Sequence, residues 1–210
     1  VNKEQLLLYA VTDRAWLNGD TLENAVEMAL SGGVTMLQLR EKNMPTEDFI
    51  KSARKIKSIC EKFNVPLIIN DNIDVVAAVD ADGVHLGQGD TPLVEARRIL
   101  GNDKIIGITA KTTEQALTAE RNGADYLGSG AVFGTSTKSN AIKMELDTLS
   151  AITSAVNIPV VAIGGITADN AVELHDTGIA GAAVVSGIFA QNDIQKAAKS
   201  LLDKIHTIVN

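Results

Sequence analysis

The chain has 210 residues, enough for one large domain that buries roughly 70% of its unfolded surface without help from disulfides or a structural metal. Hydrophobic residues make up 45% and aromatics only 3%, so Val, Ile, Leu and Ala must build the core, as in a parallel sheet covered by helices. A net charge of −7 argues against general nucleic-acid or membrane-surface binding, and a single cysteine excludes an intramolecular disulfide.

There is no apolar run of 18 residues and no signal-peptide pattern at the amino end, so a soluble cytoplasmic enzyme acting on small molecules is expected. An anionic substrate remains compatible with the acidic whole. A few cations at one cleft outweigh distant acids, which salt screens beyond about 8–10 Å.

The first apolar run, residues 6–12, predicts a strand. Asp20 and Glu23 are spaced as a capping box ahead of Leu22, Val26, Ala29 and Leu30, and Gly32-Gly33 stops that helix before a second strand at 36–40. Thr46, between Pro45 and the acids Glu47 and Asp48, reads as the next cap. In the helix that follows, Ala53, Ile56, Ile59, Cys60 and Phe63 recur at helical spacing, which makes Cys60 a small core residue. Strands follow at 66–70, 83–87 and 105–110. Thr112 with Gln115 opens another helix, and Gly123 closes it before a strand at 126–133. A seventh strand at 159–164 leads to a helix start at Thr167, and Gly178 precedes the eighth strand at 181–186.

Strands alternating with helices pair in parallel through right-handed crossovers, and eight such units in about 200 residues close most naturally as a (β/α)₈ TIM barrel, here one domain over 1–210. A doubly wound open sheet is the alternative, but no GxGxxG follows the first strand.

In a barrel the active site lies at the carboxyl ends of the strands. Gln38, Arg40 and Lys42 follow strand 2 at alternate positions, crowding two cations on one face. Asn70-Asp71 follow strand 3 and Asp90 follows strand 4. With strands about 4.8 Å apart, the two aspartates can reach one point, either as ligands of a hard cation or as turn and cap residues. His85 lies within strand 4 and is either a site residue or a hydrogen-bonded barrel residue. Thr135, Ser136, Thr137 and Lys138 after strand 6 suit phosphate oxygens. So do the backbone amides of Gly164-Gly165 after strand 7 and of Ser186-Gly187 after strand 8. Trp16 either covers the site or packs beside it, and His175 and His206 fall on helices away from it.

Taken in order, YAVTDR (9–14), QLREK (38–42), Asn70-Asp71, GVHLGQ (83–88) with Asp90, GADY (123–126), TSTK (135–138) and IGGI (163–166) resemble the thiamine-phosphate synthase family over nearly the whole chain. The resemblance implies a Mg²⁺-dependent barrel enzyme that joins a pyrimidine bearing a CH₂-diphosphate to a thiazole phosphate, releasing pyrophosphate. It implies Asp71 and Asp90 as Mg²⁺ ligands, with Arg40, Lys42, Asn70 and Lys138 on the diphosphate. Thr135, Thr137, Gly165 and Ser186 would serve the thiazole phosphate, and Gln38 and Thr109 the pyrimidine. Arg40, Thr109 and Lys138 are the residues expected to act on the reacting groups. The chain departs from the family pattern at Asn72 (usually Arg), at Thr109-Ala110-Lys111 (usually Ser-x-His), and at Ala131 and Gly134 (usually Pro).

Two other readings compete. A related thiazole tautomerase would carry a histidine where this chain has Ala131 and would lack the acids it retains. A catalytically silent barrel that binds a thiamine intermediate would use the same residues. The sequence leaves a homo-oligomer open.

Overall fold

The computed structural model describes residues 1–134 and 143–209. Eight parallel strands close on themselves in sequence order: β1 (Leu8–Val11), β2 (Met36–Leu39), β3 (Leu67–Asn70), β4 (Gly83–Leu86), β5 (Ile105–Thr109), β6 (Tyr126–Gly130), β7 (Val160–Ile163) and β8 (Gly181–Val184). The helices are α1 (Lys3–Leu6), α2 (Leu22–Ser31), α3 (Thr46–Phe63), α4 (Ile73–Val79), α5 (Leu93–Leu100), α6 (Thr113–Arg121), α7 (Leu146–Ala155), α8 (Ser186–Phe189) and α9 (Ile194–Ile208). The architecture is the expected (β/α)₈ barrel. Every expected strand is present, and all but β3, which ends at Asn70 as expected, end one to three residues sooner than their apolar runs suggested.

Local differences have local causes. Leu6 is not strand but the end of α1, which Asn2 and Gln5 start with a reciprocal capping box. Thr21, not Asp20, caps α2 by accepting from the Asn24 amide, while Asp20 braces Thr21 N–H and the Asn24 side chain. Thr46 is the first residue inside α3, and Pro45 precedes it without a side-chain cap. Thr112 does cap α6. After β7 there is no full helix. Thr167 and Asn170 bond each other across a turn, and only a 3-10 turn, Ala171–Leu174, follows.

The alternation of side chains divides the core in two. Outward residues such as Leu37, Ile69, Val84, Leu127 and Ala182 pack against the helices, with Cys60 buried among them. Inward residues Tyr9, Met36, Ile68, Tyr126, Val161 and Ala183 fill the barrel, with Leu6 of α1 among them. The chain has two tyrosines, and both lie fully buried inside the barrel, edge to face with ring centroids 5.8 Å apart.

Glycine on β5 makes that filling possible. Gly107 sits level with Tyr126 in the ladder, and a Cβ there would run into the tyrosine ring and hydroxyl. Because the ring is buried, it has nowhere to retreat. Gly107→Ala is therefore expected to cost about 1–3 kcal/mol by overpacking. Gly89→Ala, which meets open space, should move the urea midpoint little. Equal midpoints for the two variants would remove this account of Gly107.

Candidate functional site

The carboxyl ends of the strands surround one mouth with a deep and a shallow part. The deep part lies inside the barrel, walled by Tyr9, Gln38, Thr109, Gly165, Ile163 and Ser186. The shallow part lies at the rim over Asp71 and Asp90, beside Lys42, Gln88 and Gln115. Arg40, Asn70, His85, Thr109 and Lys111 border both, so the two parts are continuous.

Gln38, Arg40, Lys42, Asn70, Asp71, Asp90, Thr109, Gly165 and Ser186 thus gather at one mouth, although they come from six different strands or the loops behind them. Gly187 does not line it. A Cβ on Gly187 would meet the Ile166 carbonyl and the Val184 side chain, so this glycine permits close packing behind the mouth. Thr135, Ser136, Thr137 and Lys138 lie outside the described residues. His175 and His206 are exposed and distant from the mouth, as expected. Trp16 packs against the outer core and is not part of the wall.

The rim is a web of paired charges. Arg40 Nη1 donates to Asp13 Oδ2 at 2.9 Å, and its backbone N–H donates to Thr12 Oγ1 at 3.0 Å. Both members of that pair are largely covered, with side-chain exposures of 18% and 17%. The charge-assisted bond therefore holds the guanidinium still. Lys42 Nζ donates to Asp71 Oδ2 at 3.1 Å, and Asn70 Nδ2 donates to the same oxygen at 2.6 Å. Asp71 takes a left-handed backbone (φ 62°), which aspartate tolerates better than most residues, while its N–H donates to the His85 carbonyl. Asp90 Oδ2 accepts from the Gly87 amide at 2.6 Å.

The two acids are close enough to share a hydrogen bond. Partial burial, and then the neighbouring Asp71, push the Asp90 carboxyl above the usual carboxylate range, against the pull of the Gly87 amide and of Lys42. Among the described residues no group of three or more His, Cys, Asp or Glu side chains is placed to hold a metal. The two aspartates stand as a pair.

Sequence reasoning left two features without roles. Asp13 lies in a noted motif, but its partnership with Arg40 spans 27 residues of chain. A buried polar chain also runs along the deep floor. Gln38 Nε2 donates to Tyr9 Oη at 2.7 Å, and Tyr9 Oη meets Tyr126 Oη at 2.8 Å. Tyr126 Oη meets His85 Nδ1 at 3.0 Å, and His85 Nε2 meets Thr109 Oγ1 at 3.0 Å. Tyr9 and Tyr126 stood in two of the noted motifs, YAVTDR and GADY, but nothing in those motifs gave the phenols a role. The departure at Asn72 also acquires a reason: its side chain caps α4 by accepting from Val75 N–H, which an arginine could not do.

A closed parallel barrel with anion-suited glycine turns, fixed cations and an acid pair at one mouth defines an enzyme for phosphorylated small molecules. Residues 8–188 match the family model described as thiamine monophosphate synthase. The chain is 52% identical over 202 residues to a thiamine-phosphate synthase of Ruminiclostridium cellulolyticum, covering 96% of each. It is 47% identical to thiamine-phosphate synthase 2 of Streptococcus pneumoniae over the full length of both. In structure it is similar to thiamine phosphate pyrophosphorylase from Pyrococcus furiosus, with a TM-score of 0.91, 38% identity and 99% of each chain covered. The chain belongs to the thiamine monophosphate synthase family. No helix among the described residues is long and apolar enough to cross a membrane.

Because Asp13 is the carboxylate that fixes Arg40, Asp13→Ala should leave a largely covered cation without its partner. A loss of about 1.5–3 kcal/mol is expected in a urea melt, in the range of hydrogen bonds to charged groups. An unchanged melt would mean that solvent replaces Asp13 and that Arg40 is not held by it.

Proposed function

We propose that the two parts of the mouth divide the work of thiamine-phosphate synthesis, with diphosphate and metal at the rim and the organic rings in the deep part. The transferase activity follows from family membership. The observation that carries the division is the separation of charge. Lys42, Asp71 and Asp90 border only the rim, whereas Tyr9, Gln38, Ile163 and Ser186 border only the interior, and Arg40 borders both.

The donor set at the rim fits Mg²⁺. This ion prefers oxygen, commonly takes one or two carboxylates, and completes its shell with waters and phosphate oxygens. Two crowded acids, one of them held above its usual range by partial burial and then by the other, are a site that a divalent cation would relieve. Asp71 and Asp90 would hold it, and when bound it would neutralise charge gathering on the diphosphate.

The remaining steps belong to side chains. Arg40, Lys42, Asn70 and Lys138 bind the diphosphate and stabilise it as the C–O bond to the pyrimidine CH₂ breaks. An electron-rich aminopyrimidine can bear the resulting cation, so no general base is required for that step. Gln38 and Thr109 orient the ring, and Arg40 and Thr109 sit where the two parts meet. Gly165 and Ser186, together with Thr135 and Thr137, hold the thiazole phosphate so that its ring nitrogen faces the CH₂. Gly187 serves by letting the backbone at Ser186 pack closely. Catalysis is then mainly stabilisation of departing charge and aim.

The test is mass detection of thiamine phosphate from the pyrimidine diphosphate and thiazole phosphate, with Mg²⁺ and with EDTA. Product is expected only with the metal, and Asp71→Ala and Asp90→Ala should abolish it while leaving the fold intact. Lys138→Ala is expected to lower turnover by about 10²–10³, as when one preorganised donor is lost. Full activity in EDTA would sink the metal assignment, and near-normal turnover of Lys138→Ala would remove that lysine from the reaction.

A further inference from the structure

The buried chain from Gln38 to Thr109 has a direction, and the direction follows from which groups can donate. An amide Nε2 has only protons to give, so Tyr9 Oη accepts from Gln38, and the partner that remains for its own proton is Tyr126 Oη. Tyr126, having accepted, turns its proton to His85 Nδ1. With Nδ1 accepting, the imidazole carries its proton on Nε2 and donates it to Thr109 Oγ1. Each link fixes the next. At one end Gln38 is left with Oε1 to accept, and at the other Thr109 keeps its O–H to donate. Both ends border the deep part of the mouth.

That pair of ends has the polarity of a 4-aminopyrimidine edge, which offers an exocyclic amine as donor and a ring nitrogen as acceptor. We propose that Tyr9, Tyr126 and His85 are positioning residues, a one-way hydrogen-bond chain that holds Gln38 as acceptor and Thr109 as donor toward the aminopyrimidine. The inference rests on the reading that the pyrimidine occupies the deep part. None of the three needs to touch the reacting atoms.

The surroundings preserve the order of protons. Both phenols are fully buried, and burial pushes them above the ordinary range, so neither loses its proton near neutrality. The rings are also fixed in place. Gly107 leaves room for Tyr126, and Gly128 leaves room for the His85 ring, where a Cβ would come within 3.0 Å of Cε1. A reversed chain would oppose donor to donor at the substrate's amine, and such an unpaired polar contact in a buried site is costly.

The experiment is a calorimetric comparison on the full chain with Mg²⁺, using the aminopyrimidine CH₂-monophosphate and its 4-deamino counterpart as probes. Steady-state KM values are measured for both substrates alongside. Gln38→Ala and Tyr126→Phe should each weaken the amino probe by about 5–10-fold, the size of one lost hydrogen bond. The deamino probe keeps the ring nitrogen that Thr109 meets and should weaken less than the amino probe, and the KM for thiazole phosphate should change less than about twofold. Tyr9→Phe breaks the chain one link earlier and should give the same split, which guards against poor folding of either tyrosine variant. Equal weakening of both probes by the tyrosine variants overturns the inference and makes the tyrosines structural only. A loss with Gln38→Ala but not with the tyrosine variants overturns it while leaving the pyrimidine's place intact. An unchanged amino-probe affinity in Gln38→Ala overturns the placement of the pyrimidine and the inference with it.

Discussion

The hydrogen bond between Tyr9 and Tyr126 joins β1 to β6, strands that are not neighbours in the barrel, and the mouth is organised around it. A closed eight-stranded barrel has an interior just wide enough to be filled by side chains. Here two phenols take the largest share of that space, so some of the inward positions around them must be small. Gly107, Gly128 and Ala183 meet that demand, and the volume they leave above the phenols becomes the deep part of the mouth. Phenylalanine at both positions would fill the same space. The hydroxyls are what turn a packed floor into a polar one, and a buried polar floor must be satisfied completely or it is costly. Gln38 and His85 satisfy it, and in doing so their own geometry is fixed.

The rim follows a different rule. Its groups are partly exposed, and each is held by one charged partner: Arg40 by Asp13, and Lys42 by Asp71. The difference in exposure separates their roles. The Arg40 pair is largely covered and rigid, as a group that must meet both parts of the mouth should be. The Lys42 side chain is 54% exposed, so solvent screens its bond, and on the proposed reading the lysine would exchange its carboxylate for an arriving phosphate.

Most of the barrel was legible because its signal is local. Apolar runs of strand length recur eight times, with helix-period patterns and glycine stops between several of them, and no tertiary fact is needed to count them. The same locality explains the errors at element ends. Leu6 carries a strand-like side chain but falls in a capped turn of helix, and Thr167 is tied into a turn with Asn170, with only a 3-10 turn after it. The rim residues were legible because strand ends converge in any such barrel. What sequence spacing could not show was pairing across the barrel. Tyr9 and Tyr126 stand 117 residues apart, and neither differs locally from an ordinary apolar strand residue. Asp13 was visible only as part of a motif, since its meaning is the arginine it holds on the next strand.

Charge balance at the rim bears on how a polyanionic substrate is received. Arg40, Lys42 and Lys111 bring three positive groups to the rim, while Asp71 and Asp90, with Asp13 behind Arg40, bring three negative ones. Among the described residues the rim is therefore close to neutral, within a chain whose net charge is −7. A neutral rim has little long-range attraction for a diphosphate and cannot hold one by field alone. On the proposed reading, a divalent cation on the acid pair would change the sign of the rim and free Lys42 from Asp71 at once. Metal and diphosphate would thus favour each other's binding, a coupling that must be reciprocal. Asn72 fits the same balance. As the cap of α4 it adds no charge, so any excess of positive charge at the rim would come with a bound cation rather than from a fixed side chain at that position.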